Sequence, residues 1–149
     1  MRGEPILSPE SEAVMMDKTI ILGAAAGGVR GLLRAEGMLL LGSAVALYWR
    51  SGGDWKLFAA LFLVPDLSFA FYLGGPRLGA GAYNAMHSTI GPLLLGAAGM
   101  ALNLPLGIAI ATIWFAHVGF DRALGYGLKY AAGFGFTHLG RIGRKSQES

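Results

Sequence analysis

The sequence contains no cysteine. That excludes a disulfide framework, a thiolate metal site and a cysteine nucleophile, so any metal has to be held by oxygen and imidazole. Charge is scarce too: Asp, Glu, Lys and Arg make up 14% of the 149 residues and 54% are hydrophobic, whereas soluble domains carry roughly 25% charge. No HExxH, GxSxG or P-loop pattern occurs, which removes the motifs that would announce a zincin, a serine hydrolase or a nucleotide-binding enzyme. No internal repeat and no second block of domain-sized composition is present, which leaves one small domain. The net charge of +3 needs no nucleic acid to explain it. Basic residues flanking apolar runs are what an anionic inner leaflet favours.

What the chain has in abundance is long apolar runs. Four follow one another, Leu32 to Trp49, Leu57 to Leu73, Leu78 to Leu102 and Leu104 to Phe120, each near the roughly 20 residues needed to cross about 30 Å of hydrocarbon. Ser51-Gly52-Gly53-Asp54, Gly74-Gly75-Pro76-Arg77 and Asn103 to Pro105 supply turn chemistry between them. The expected fold is all-α: a four-transmembrane-helix bundle with an interfacial C-terminal segment, in which bases and aromatics mix from Asp121 to Lys145. Residues 1–30 read as a mobile N-terminal extension, 31–143 as the membrane domain with its tail, and 144–149 as a frayed end. The run Thr19 to Ala26 does not make a secretory signal, because Glu4, Glu10, Glu12 and Asp17 precede it. An even number of crossings places ten of the twelve Lys and Arg residues on one face, leaving Arg50 and Lys56 on the other. The positive-inside rule then predicts a multipass protein of the inner membrane with both termini cytoplasmic.

Three carboxylates, Glu36, Asp66 and Asp121, fall within or at the ends of these spans, together with Asn84, His87 and His117. An Asp at the bilayer centre costs about 2.5 to 3.5 kcal/mol on insertion scales, so each such residue is expected to face the bundle interior and a partner. Alternating helix direction puts all six in the cytoplasmic half of the bilayer. Asn84 and His87 at i, i+3, and His117 and Asp121 at i, i+4, each share a helix face. Pro65 and Pro92 leave the carbonyls of Leu61 and Ser88 without their helical partners, which predicts kinks that open a pocket.

Two imidazoles and up to three carboxylates suffice for zinc, iron or manganese. In that reading Asp66, His87, His117 and Asp121 hold a divalent metal, and Glu36, Asp66 and Asp121 supply the catalytic carboxylate of a metal-dependent hydrolase acting on a lipid-like substrate. Asn84, Arg122, Tyr126 and Lys129 are the candidate substrate contacts, the bases receiving an anionic head group. Two other readings stay open. The same carboxylates would serve a proton-coupled transporter or ion conductor working as a homodimer, or they merely join helices in a structural or accessory membrane protein, where such hydrogen bonds are worth about 0.6 kcal/mol each. Arg34 and Arg122 also suit snorkelling anchors, and His138 an interfacial position in the basic tail.

The segments Arg34-Ala35-Glu36-Gly37, Pro65-Asp66-Leu67-Ser68, Tyr83-Asn84-Ala85-Met86-His87, His117 to Tyr130 and Thr137-His138-Leu139-Gly140 resemble domain-of-unknown-function family 4260, a group of small bacterial multipass membrane proteins. The likeness covers about Gly31 to Gly143. It implies a bacterial membrane location and carries no established activity.

Overall fold

Helix α1, Gly27–Arg50, is 24 residues long and so about 36 Å at about 1.5 Å per residue. It belongs to a computed structural model that describes residues 8–12, 14–15 and 23–142. The helix begins inside the stretch assigned above to a mobile extension. Ala25, within the same stretch, donates its amide to the carbonyl of His138 at 2.7 Å, anchoring the entry to α1. The rest of that expectation, at residues 1–7, 13 and 16–22, lies outside the described residues, as does the expected fraying at 144–149.

The first turn forms where expected. Tyr48 donates its hydroxyl to the carbonyl of Asp54 at 2.8 Å, and the Asp54 carboxylate caps α2, Trp55–Phe62, by accepting from the amide of Lys56. Helix α2 does not run on as a continuous α-helix. From Val64 to Gly74 the chain winds as a 3₁₀ helix of 11 residues, a length that is uncommon for this geometry. Pro65 explains the switch: without an N–H it cannot bond the carbonyl of Leu61, and its ring disfavours the α turn before it. The amide of Asp66 accordingly donates three residues back, to Leu63, at 3.1 Å.

Gly75, at φ 104°, supplies the left-handed turn into α3, Pro76–His87. The expected third span then divides. Ser88 is extended (φ −85°, ψ 156°), and the chain resumes helix as α4, Ile90–Ala101. Pro92 is the reason, since it can neither donate to Ser88 nor let α3 pass straight through. After Asn103, left-handed at φ 52°, α5 runs from Pro105 to Leu124. It ends on left-handed Gly125, with the amide of Tyr126 bonded to Asp121 at 2.8 Å and that of Gly125 to Arg122 at 3.0 Å, the Schellman arrangement. The four expected spans are thus five α-helices and one 3₁₀ helix.

Helix α5 lies at the centre, burying Ala111, Thr112, Ile113, Ala116, His117, Val118 and Gly119. Its most extensive partner is α1; α4 and α2 also pack on it, and α3 packs on the 3₁₀ helix. The tail turns back over the bundle as a hairpin. Strands β1, Phe136–Thr137, and β2, Gly140–Arg141, pair antiparallel with Phe136 opposite Arg141, and Leu139 between them is fully buried.

Two helical stretches are long and apolar enough to cross a membrane: Gly27–Arg50, mean hydropathy 1.3, and Trp55–Gly74, mean hydropathy 1.8. Both leave large side chains such as Leu39, Leu47, Leu67 and Leu73 exposed. Apolar surface left uncovered in this way points to membrane association. The α1–α5 contact is backbone against backbone: a Cβ on Gly119 would lie 2.5 Å from the amide nitrogen of Leu41 and 2.9 Å from the carbonyl of Gly37. Gly119→Ala should therefore cost about 1 to 3 kcal/mol by forcing the helices apart. Gly42→Ala, where a Cβ meets nothing within 4 Å, should leave the thermal unfolding midpoint in detergent unchanged or slightly raised.

Candidate metal centre

Asp66 is the third residue of the 3₁₀ helix, four residues beyond the end of α2, and reaches toward α3 and α5. His87 is the last residue of α3, and His117 and Asp121 stand one turn apart on α5. One ligand atom from each of the four lies within 4.8 Å of every other, a group that could hold a metal ion. The closest separations are His87 Nε2 to His117 Nε2 at 3.1 Å, His87 Nε2 to Asp66 Oδ1 at 3.3 Å, His87 Nε2 to Asp121 Oδ2 at 3.5 Å and His117 Nε2 to Asp66 Oδ1 at 3.6 Å. Donors bound at about 2.0 to 2.1 Å on a tetrahedron sit about 3.3 Å apart. These four spacings bracket that edge, and the two remaining pairs lie within 4.8 Å.

Proton bookkeeping sharpens the point. The Nδ1 of His87 lies 2.9 Å from the carbonyl of Tyr83, which can only accept, so Nδ1 carries the proton and Nε2 presents a lone pair to the cluster. Histidine ligands of metals characteristically have their other nitrogen held by a carbonyl in this way. Two carboxylate oxygens and the His117 Nε2 face that lone pair. His117 Nδ1 meets no acceptor among the described residues, so without a metal its proton sits on Nε2, inside the cluster at 3.1 Å from His87 Nε2; a cation bound by all four would take that proton's place. His87 and His117 are almost wholly buried, Asp121 is 13% exposed and Asp66 34% exposed, so the centre opens to the surroundings on the Asp66 side.

Tyr83 supports this arrangement threefold. Its hydroxyl donates to Asp121 Oδ2 at 2.9 Å, its ring stacks on His87 with centroids 3.7 Å apart, and its carbonyl holds His87 Nδ1. Phe62 meets His117 edge to face at 5.3 Å, while His117 Nδ1 is buried without a hydrogen-bond partner among the described residues. Tyr83 was not among the candidates read from the sequence, although it stands four residues before His87, the same spacing that linked His117 to Asp121.

The remaining candidates are placed elsewhere. Glu36 is exposed and lines a separate cavity beside Arg122 and His138. Asn84 does not share the His87 site: its side chain pairs with the backbone of Lys129, donating to the carbonyl at 2.8 Å and accepting from the amide at 2.6 Å. Arg122 donates to the carbonyl of His87 at 3.1 Å, and its guanidinium lies 2.9 Å from His138 Nε2. With Trp114, whose indole donates to the carbonyl of Met86, it satisfies the backbone freed where α3 ends. Arg34 bonds the carbonyl of Ala123 at 2.8 Å, near the C-terminus of α5. Tyr126 is 42% exposed. Lys129 is 4% exposed; its ammonium donates to the carbonyl of Phe134 at 3.0 Å and lies 3.3 Å from the Phe134 ring centre and 4.7 Å from that of Tyr83.

Burial pushes the Lys129 amine from its ordinary 10.5 down to about 8, the Asp121 carboxylate pulling the other way. Between about pH 8 and 10.5 the unfolded chain therefore holds a proton that the folded chain has released, so this group makes stability rise with pH across that window. Thermal unfolding from pH 7 to 10.5 should show a rising wild-type contribution that Lys129→Met removes, read as the difference between the two proteins.

No curated protein and no solved structure matches the chain at a significant level. The family model described as Domain of unknown function (DUF4260) matches residues 30–142, a stretch that runs from the first turn of α1 through the hairpin and contains all four residues of the cluster, and the chain belongs to that family.

Proposed function

We propose that this protein crosses the inner membrane four times, holds one divalent cation (zinc, iron or manganese) through Asp66, His87, His117 and Asp121, and hydrolyses a lipid-like amphiphile. The observation that carries the reading is the gathering of four potential ligand atoms, from Asp66, His87, His117 and Asp121, within 4.8 Å of one another. A cation bound there would act as a Lewis acid and lower the pKa of a water. Asp66, the most exposed of the four, faces the open side and takes or returns a proton. Tyr83 holds Asp121 in place, and the two buried imidazoles keep the centre dry on its closed side.

Membrane features support the substrate class. A cavity of about 160 Å³, lined among others by Pro65, Met86, Ile113 and Trp114, lies beside the cluster in the chain and is almost wholly apolar, suited to an acyl chain. In the four-crossing reading, α3 and α4 form one interrupted third crossing and α5 the fourth. An interruption at membrane depth is tolerated only where protein groups satisfy the freed backbone, and Arg122 and Trp114 do so. The split of ten bases against two supports a cytoplasmic location for both termini.

The same convergence favours a second reading, in which a proton is the shared cation and the cluster is a relay in a dimeric transporter. Elemental analysis of detergent-purified protein separates them. About one zinc, iron or manganese per chain is expected, lost in His117→Ala and in Asp66→Asn and kept in Glu36→Gln; folded wild-type protein without metal would move the assignment to the relay. Tyr83→Phe keeps the stacked ring and removes the hydrogen bond to Asp121. Its metal affinity, measured by competition with a chelator, should fall by about 10- to 100-fold.

A further inference from the structure

Another cavity, of about 270 Å³, lies between α1 and the tail; Glu36, Thr89, Arg122 and His138 contribute its polar wall, and Leu40 and Leu128 part of its larger apolar one. Its two charges are opposite, yet no ion pair joins Glu36 to Arg122, and Glu36 has no hydrogen-bond partner among the described residues. A carboxylate and a guanidinium that share a cavity without meeting leave room for something between them.

The donors of Arg122 are only partly used. Of its five N–H groups one goes to the carbonyl of His87 and one to His138 Nε2. The second contact is contested, because His138 Nδ1 also faces a donor, the amide of Leu128 at 2.8 Å, and a neutral imidazole has a single lone pair to give. Burial and the adjacent guanidinium push the His138 pKa down, so the ring stays neutral. Three or more N–H groups of Arg122 therefore remain for an anion, and Glu36 remains for a cation. An anion alone would face the Glu36 carboxylate, and a cation alone the guanidinium.

We propose that this cavity binds the zwitterionic head group of an amphiphile, with Glu36 receiving an ammonium, Arg122 a phosphate, and Leu40 and Leu128 the first methylenes of the chain. The site stands independently of the metal centre, and occupancy of one does not require the other. Phosphoethanolamine chemistry fits both ends, and a phospholipid is the source that the apolar wall favours.

Native mass spectrometry of the full-length protein, released from detergent with defined lipids, tests this. Phosphatidylethanolamine should be retained about tenfold better than phosphatidylglycerol, the scale of one charge-assisted hydrogen bond. Glu36→Gln should bring the ratio close to one while metal content and thermal unfolding midpoint stay at wild-type values, and Glu36→Asp should restore part of the preference. Glycerophosphoethanolamine, which has no acyl chains, should compete weakly; full competition would support the head-group chemistry while assigning it to a soluble ligand. Equal retention of both phospholipids by the wild type, or an unchanged preference in Glu36→Gln, would overturn the proposal.

Discussion

Where α3 stops, the carbonyls of Met86 and His87 lose the amides that a continuing helix would have brought, and an unpaired buried carbonyl is costly. Both partners come from α5, as the Trp114 indole and the Arg122 guanidinium. Much else follows from that pairing. It sets the end of α3 against the middle of α5, which brings His87 to His117, and it fixes Arg122 between the cluster on one side and the Glu36 cavity on the other. Glycine at 37 and 119 allows the remaining long helix, α1, to close on α5 at backbone distance.

The cluster and the tail are linked through α3. Tyr83 touches Asp121 and His87 on one side, and its ring faces the Lys129 ammonium on the other; its neighbour Asn84 holds the backbone of Lys129 at two points. The tail is thus part of the wall behind the centre. Lys129, a base suited on sequence grounds to an external anion, is occupied in holding the chain to itself, whereas Arg122 commits only part of its fork to the carbonyl of His87. This is a common fate of charged groups in apolar surroundings, where a partner within the protein offsets the cost of desolvation.

How much of this was legible beforehand differs by feature. Apolar run length located the helices, and Pro92 marked the place where the third run is interrupted, because a missing N–H is a local property. Three things were not legible. A uniformly apolar run such as Leu57 to Leu73 carries no periodicity to distinguish three residues per turn from 3.6, so the 3₁₀ winding left no trace beyond Pro65. Depth along a helix does not determine angular position, which is why Glu36, grouped with the others by depth, lies in a different cavity. The hairpin depends on pairing between Lys129 and Thr137, a contact that aromatic and basic composition does not encode. The four residues that gather were found because ionisable groups are conspicuous within long apolar runs.

The 3₁₀ winding between Val64 and Gly74 has a consequence of its own. With three residues per turn, side chains three apart eclipse one another, so Asp66, Phe69 and Tyr72 form one straight row. Its first member sits at the cluster, the second lies against Tyr83 and Phe134, and the third reaches Phe134 in the wall around Lys129. One edge of a single helix therefore ties the centre to the hairpin like a ruler laid across both. Relaxation to α geometry would shorten the segment by about 5 Å, at about 0.5 Å per residue, and fan the row into a spiral, so that no more than one of its three contacts could stay in register.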